Sequence, residues 1–90
     1  MITAFVLLTI APGHVKPLAD ELLEVPGVAE IYSVAGPFDL VAIARVARHE
    51  DLSDLVTDRI SSLDGIVRTE TLIAFRAFSK RDLGLMWDVG

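Results

Sequence analysis

The chain contains no cysteine, no asparagine and no glutamine, and among its 90 residues only two histidines, one tryptophan and one tyrosine. Without thiols there is neither a disulfide framework nor a thiolate metal site, and their absence points to no particular redox compartment. His14 and His49 lie near the starts of two predicted helices in polar company, and neither has a second histidine at a ligand spacing. Both read as surface or loop residues, and no metal or other cofactor is expected. Cationic charge is also scarce: eight Lys and Arg face 13 Asp and Glu, for a formal net charge of −5. Sequence-independent attraction to phosphates is therefore missing, which disfavours direct nucleic-acid binding by this chain. Long apolar runs are missing too. Stretches such as Ala4 to Leu8 fall far short of the ~20 residues that cross a bilayer, and no basic segment precedes them. The expectation is a soluble, cytoplasmic protein without a membrane partner.

What is present is apolar. Hydrophobic residues make up 52% of the chain, more than the usual share even when glycine is counted. A single domain over residues 1–90 can bury only roughly two-thirds of its unfolded surface. Some of the apolar surface must therefore be covered by something other than the chain's own core.

The order of elements follows from periodicity. Ile2 to Ile10 is apolar and β-branched and is stopped by Pro12-Gly13, which predicts a first strand and a turn. From about His14, Val15, Leu18, Leu22 and Val25 recur at helical spacing, and Pro26-Gly27 ends that helix. Pro17 is compatible with it only in the first turn, where a missing N–H costs nothing. Val28 to Ala35 and Phe38 to Ala47 read as a hairpin around Gly36-Pro37. His49-Glu50-Asp51 opens a second helix whose stripe is Leu52, Leu55, Val56, Ile60 and Leu63, and Asp64-Gly65 breaks it. Ile66 to Phe78 predicts a long fourth strand, after which Ser79, with Asp82, would cap a short helix through Leu83 to Trp87.

Strand, helix, strand, strand, helix, strand with right-handed crossovers is the ferredoxin-like α+β arrangement: a four-stranded antiparallel sheet with both helices on one face. The other face is bare. Yet Phe5 and Leu7, like Val41 and Ile43, put apolar groups opposite Val6, Leu8, Leu40, Ala42, Ala44 and Val46. A sheet with one solvated side alternates apolar with polar residues, so this pattern predicts that a second copy covers the helix-free face.

No nucleophile with its base, carboxylate pair or phosphate-cradling glycine motif is apparent, so no catalytic residues are assigned. Asp20, Glu21, Glu24, Asp54 and Asp58 fall on solvent faces of the helices. The tip of the hairpin is different: Ser33-Val34-Ala35-Gly36-Pro37-Phe38-Asp39-Leu40 sets a glycine turn and an acid on an otherwise apolar hairpin. Asp39 can accept bonds from an ammonium, and the backbone N–H groups of Gly36, Phe38 and Asp39 can donate to a carboxylate. The plainer alternative is that Gly36 permits a positive φ and Asp39 ends the hairpin. Tyr32 can pack or bind, and Thr69 and Thr71 are ordinary strand residues that can also offer hydroxyls.

The Gly36-x-x-Asp39 turn, the Pro26-Gly27-Val28 junction, and the Thr69-Glu70-Thr71 to Ala74-Phe75 run together resemble the Lrp/AsnC ligand-binding domain over about Ile2 to Phe78. That resemblance implies a dimeric α/β barrel, dimers assembled into octamers or decamers, and an amino acid or related metabolite bound between dimers. It implies a ligand site of Gly36, Pro37, Phe38 and Asp39 from the turn and Thr69 and Thr71 from strand four, to which Tyr32 is added as a candidate on its side-chain chemistry alone. Members of the family usually carry a helix-turn-helix, whereas this sequence starts at the first strand and resembles the stand-alone form. A sensing and oligomerisation module is therefore expected, working in transcriptional or metabolic regulation beside a DNA-binding Lrp/AsnC relative. Two other readings stay open. One is a small α/β-barrel enzyme of the cofactor-free monooxygenase or isomerase type, which would need polar groups such as His14 or Arg45 inside a deep cavity. The other is a structural adaptor, with Met86 and Trp87 as a docking anchor.

Overall fold

The computed structural model describes residues 1–80. β1 (Ile2–Ile10) is followed by α1 (Val15–Leu23), β2 (Val28–Ser33), β3 (Leu40–Val46), α2 (His49–Asp54) with a π-helical continuation over Leu55–Ile60, and β4 (Ile66–Ile73). The strands lie in the order β2-β3-β1-β4, and every neighbouring pair is antiparallel. This is the ferredoxin-like α+β fold that the element order predicts.

Alternation sorts the sheet into two faces. Ala4, Val6, Leu8 and Ile10 of β1 and Leu40, Ala42, Ala44 and Val46 of β3 point toward the helices and are buried. They meet Leu18 and Leu22 of α1 and Leu52, Leu55 and Ile60 of the second helix in one core. Pro17 is the third residue of α1, inside the first turn, so its missing N–H leaves no intrahelical bond unmade.

The second helix departs from the regular 3.6-residue period expected of it. Leu55 and Ile60 are 2% and 0% exposed, although residues five apart point about 140° away from each other on an α-helix. Widening the turn brings both onto the core side. Ser61 bonds across five residues, its N–H and its hydroxyl both donating to the Val56 carbonyl at 3.2 and 2.7 Å. The packing demand of two large side chains thus overrides the local period.

Two strand ends differ from expectation. The hairpin connection is longer, since β2 stops at Ser33 and β3 starts at Leu40, and Val34 N–H donates to the Asp39 carbonyl at 3.1 Å to close it. β4 stops at Ile73, opposite Ala4, and its last backbone bond runs from Ala74 N–H to Thr3 O at 2.9 Å. Beyond that bond the segment leaves β1, although Ile2 and Thr3 still pair with Val46 and Arg45 on the other side. Phe75 and Phe78 follow with 99% and 86% of their surface exposed. The expected final helix with Asp82, Met86 and Trp87 lies outside the described residues.

Gly65 fixes the corner where β4 begins. Its φ is +95°, and a Cβ there would sit 2.7 Å from the His14 ring. Its carbonyl accepts from Ala11 N–H at 2.7 Å, which binds the end of β1 and the start of α1 to the start of β4.

Candidate functional site

β1 and β3 run in register from Ile2 opposite Val46 to Leu8 opposite Leu40, and the ladder then reaches the turn. Asp39 N–H donates to the Leu8 carbonyl at 2.8 Å. One residue pair further, β3 has turned away, and the Asp39 side chain replaces its backbone: Oδ2 accepts from Ile10 N–H at 2.7 Å. On the other side of β1 the register with β4 slips between Thr9 and Ile10. Asp39 thus holds the bulged end of β1, and in that role it ends the hairpin pairing, as the plainer sequence reading has it. Its second carboxylate oxygen has no partner among the described residues.

Around this anchor the turn is open. Gly36 adopts φ +139°, nothing lies within 4 Å of a Cβ built there, and Pro37 is exposed while Phe38 and Asp39 are half-buried. Thr69 pairs with Leu8 and Thr71 with Val6, so both threonines project from the helix side of the edge strand β4. Neither hydroxyl bonds to protein among the described residues. Because Leu8 is also the residue bonded by Asp39, Thr69 stands level with the turn, and Thr71 is two residues further from it. Tyr32 stands apart from this group. It pairs with Val41 on the opposite, helix-free face.

That opposite face holds a second set of polar residues, which the sequence pattern alone does not bring together. Tyr32 donates its hydroxyl to Glu30 Oε2, and Arg45 Nη1 lies 3.5 Å from Glu30 Oε1. The Tyr32 hydroxyl, with the Arg45 guanidinium as a smaller influence, holds the Glu30 carboxyl below the usual carboxylate range. In return the Glu30 carboxylate pushes the Tyr32 phenol above its ordinary value. The signal was present in the alternation, because residues 30 and 32 share a face, and residue 45 falls on the same side of the neighbouring strand. These groups border an open cleft of about 670 Å³ at the end of the sheet remote from the Gly36 turn. Apolar residues occupy the centre of the face: Phe5, Leu7, Val41, Ile43 and Leu72, with Phe5 37% and Leu72 53% exposed.

The layer between helices and sheet is filled with aliphatic side chains, and no polar or charged side chain is buried among the described residues. His14 leans on Gly65 with its Nδ1 3.2 Å from the Pro12 carbonyl, and Arg45 faces the open cleft. Neither points into an interior chamber. Among the described residues no His, Cys, Asp or Glu group is arranged to hold a metal ion, and no helix is long and apolar enough to cross a membrane.

A protein of Thermus thermophilus, TTHA0845, has a crystal structure that superposes with a TM-score of 0.83 at 53% identity, over 88% of this chain and 99% of that one. The feast or famine regulatory protein of M. tuberculosis, solved in complex with L-methionine, aligns at 32% identity with a TM-score of 0.69, over 88% of this chain and 53% of that one. An HTH-type transcriptional regulator of Pyrococcus furiosus is 32% identical over 76 residues. This chain spans 51% of that relative's length. The family model for the Lrp/AsnC ligand binding domain matches residues 3–83. With the sheet order, the helix placement and this match in agreement, the chain belongs to the Lrp/AsnC ligand binding domain family.

Proposed function

We propose that this domain is a homo-oligomeric sensor of a free amino acid or a related metabolite, and that Gly36, Pro37, Phe38 and Asp39, with Thr69 and Thr71, form its ligand site. The observation that carries this reading is the state of Asp39. One oxygen is fixed by Ile10 N–H, so the carboxylate is held in place while the other oxygen remains uncommitted beside an open turn. A carboxylate oriented in this way is suited to an ammonium, and the N–H groups of Gly36 and Phe38 together with the Thr69 hydroxyl are suited to the ligand's carboxylate, the Asp39 N–H being taken by the Leu8 carbonyl. The mycobacterial relative's complex with L-methionine favours the same ligand class. Tyr32, on the far face, is assigned to the subunit surface and not to this site.

The apolar centre of the helix-free face supports a dimer built by laying that face on its copy. The turns then lie at the periphery, where further dimers can meet and complete each site in an octamer or decamer. With a net charge of −5, contact with DNA is left in this reading to a helix-turn-helix-bearing relative joined through the same face, and the domain itself carries out no reaction. It acts within the cytoplasm. Titration calorimetry with the twenty amino acids tests the proposal. Saturable heat from at least one of them, with the affinity weakened about tenfold in Asp39→Asn, is the expected result; no heat at millimolar ligand from any of them overturns it.

A further inference from the structure

The segment that follows β4 borders the helix-free side of the sheet. Ala74 makes its last backbone bond to β1, and beyond it Phe75 and Ala77 lie at the same end of that face as Thr3, Phe5 and Arg45. Phe75 and Phe78 are nonetheless 99% and 86% exposed. Two phenylalanines thus stand in solvent on the side where the sheet is bare. The face itself is suited to meeting a copy of itself, because its charged groups pair within the subunit, Glu30 with Arg45 at 3.5 Å and Glu70 with Arg68 at 3.6 Å. Residues 11–27 and 47–65, which hold both helices, instead contain eight Asp and Glu against three Lys and Arg, an excess equal to the chain's net charge of −5. Two copies meeting through the helices would repel.

Area then decides whether sheet against sheet suffices. Four strands of 6 to 9 residues, about 4.8 Å apart with about 3.3 Å per residue, make a face of roughly 20 by 25 Å, or about 500 Å². A stable interface takes about 800 Å² from each partner, so the sheet alone falls short by about 300 Å². One buried aromatic side chain covers about 150–250 Å², and Phe75 with Phe78 closes the gap. We infer that residues 75–80 form an arm that crosses to a second copy of this chain and lays Phe75 and Phe78 on that copy's helix-free face, each subunit's dimer surface being completed by the other's arm. The inference rests on the sheet-to-sheet dimer proposed above. Sheets packed face to face lie about 10 Å apart, and an extended arm of this length reaches about 20 Å.

Sedimentation equilibrium over a dilution series gives the dimer dissociation constant of the full chain and of its Phe75→Ser, Phe78→Ser double variant, both substitutions falling at exposed positions after the last strand. The variant is expected to dimerise at least about a hundredfold more weakly, as for the loss of two anchoring aromatic side chains. A second measurement shows where the arm lies. Because the chain has no cysteine, Ala77→Cys offers a single thiol for a nitroxide while both phenylalanines stay in place. In mixed dimers of this subunit with an isotope-labelled, unmodified one, the nitroxide is expected to broaden amide signals of β1, β3 or β4 in the unmodified partner. A dissociation constant that survives the double substitution within about threefold, or mixed dimers without broadening in the partner's sheet, overturns the inference and leaves the dimer standing. A parent that sediments as a single chain overturns both.

Discussion

Replacing Asp39 separates its two roles. Asp39→Ala removes the acceptor for Ile10 N–H, a bond of 2.7 Å, beside a residue only 6% exposed. A hydrogen bond to a charged group contributes about 1.5–3 kcal/mol, and a donor left unpaired in a part-buried place adds to the loss. The expected destabilisation is about 2 kcal/mol. With a urea dependence of about 1–2 kcal/mol/M for a small domain, the midpoint should fall by roughly 1–2 M at fixed protein concentration. Asp39→Asn keeps an amide oxygen for Ile10 N–H and should cost about 1 kcal/mol or less, yet it withdraws the negative charge from an ammonium ligand. The difference between a charged and a neutral hydrogen bond is about 1.4 kcal/mol, which is a tenfold loss of affinity. Asp39→Ala withdraws the same charge, so urea denaturation should separate the two variants by about 1 kcal/mol while calorimetry finds both weakened at least about tenfold. If Asp39→Ala unfolds within about 0.5 kcal/mol of the parent, the Ile10 anchor is not the support described here. If Asp39→Asn binds an amino acid as tightly as the parent does, the carboxylate is not its ammonium partner.

Three further outcomes follow from local geometry. Gly65→Ala meets both a positive φ and the His14 ring at 2.7 Å, so it should destabilise by more than about 1 kcal/mol and by more than Gly36→Ala, where only the φ of +139° is unfavourable and space is open; thermal unfolding of the pair checks the order. Leu8→Ala, at a fully buried core position, should cost about 2–5 kcal/mol in denaturant. Tyr32→Phe removes the main influence that lowers the Glu30 carboxyl, so side-chain NMR should find Glu30 titrating higher in the variant. In the parent, the contribution of Glu30 is present above the ordinary carboxylate range and is lost as pH falls through its lowered value. That of Tyr32, whose phenol is raised, is present below the ordinary phenol range and is lost as pH rises through its raised value.

The fold was legible because its signals are local. Pro26-Gly27 and Asp64-Gly65 follow the two helices, which end at Leu23 and Ile60, short of the expected Val25 and Leu63, and period-two alternation places Val6, Leu8, Ala42 and Ala44 on one face. What escaped the sequence depends on contacts distant along the chain. The widened helix is dictated by the shared burial of Leu55 and Ile60, and β4 leaves the sheet after Ile73 with Phe75 and Phe78 exposed. At the site, the turn and its acid stand out by residue type, but the bond from Ile10 to Asp39 spans 29 residues and has no local sequence mark. The register across β1 then divides the expected residues, leaving Thr69 level with the turn and sending Tyr32 to the other side. Glu30 and Arg45 become neighbours only through the pairing of β2 with β3.

Phe5, Leu7, Val41 and Leu72, around the buried Ile43, form an apolar surface with no helix over it among the described residues, and the reading of both assembly and turn site depends on a second copy closing that surface. Sedimentation equilibrium at micromolar concentration, on the parent and on the Phe5→Lys, Leu72→Glu double variant, addresses this most directly. The parent is expected as a dimer or a multiple of one, and the double variant as a folded species of lower mass. A parent that sediments as a single chain, or a variant that keeps the parent's mass, contradicts the account.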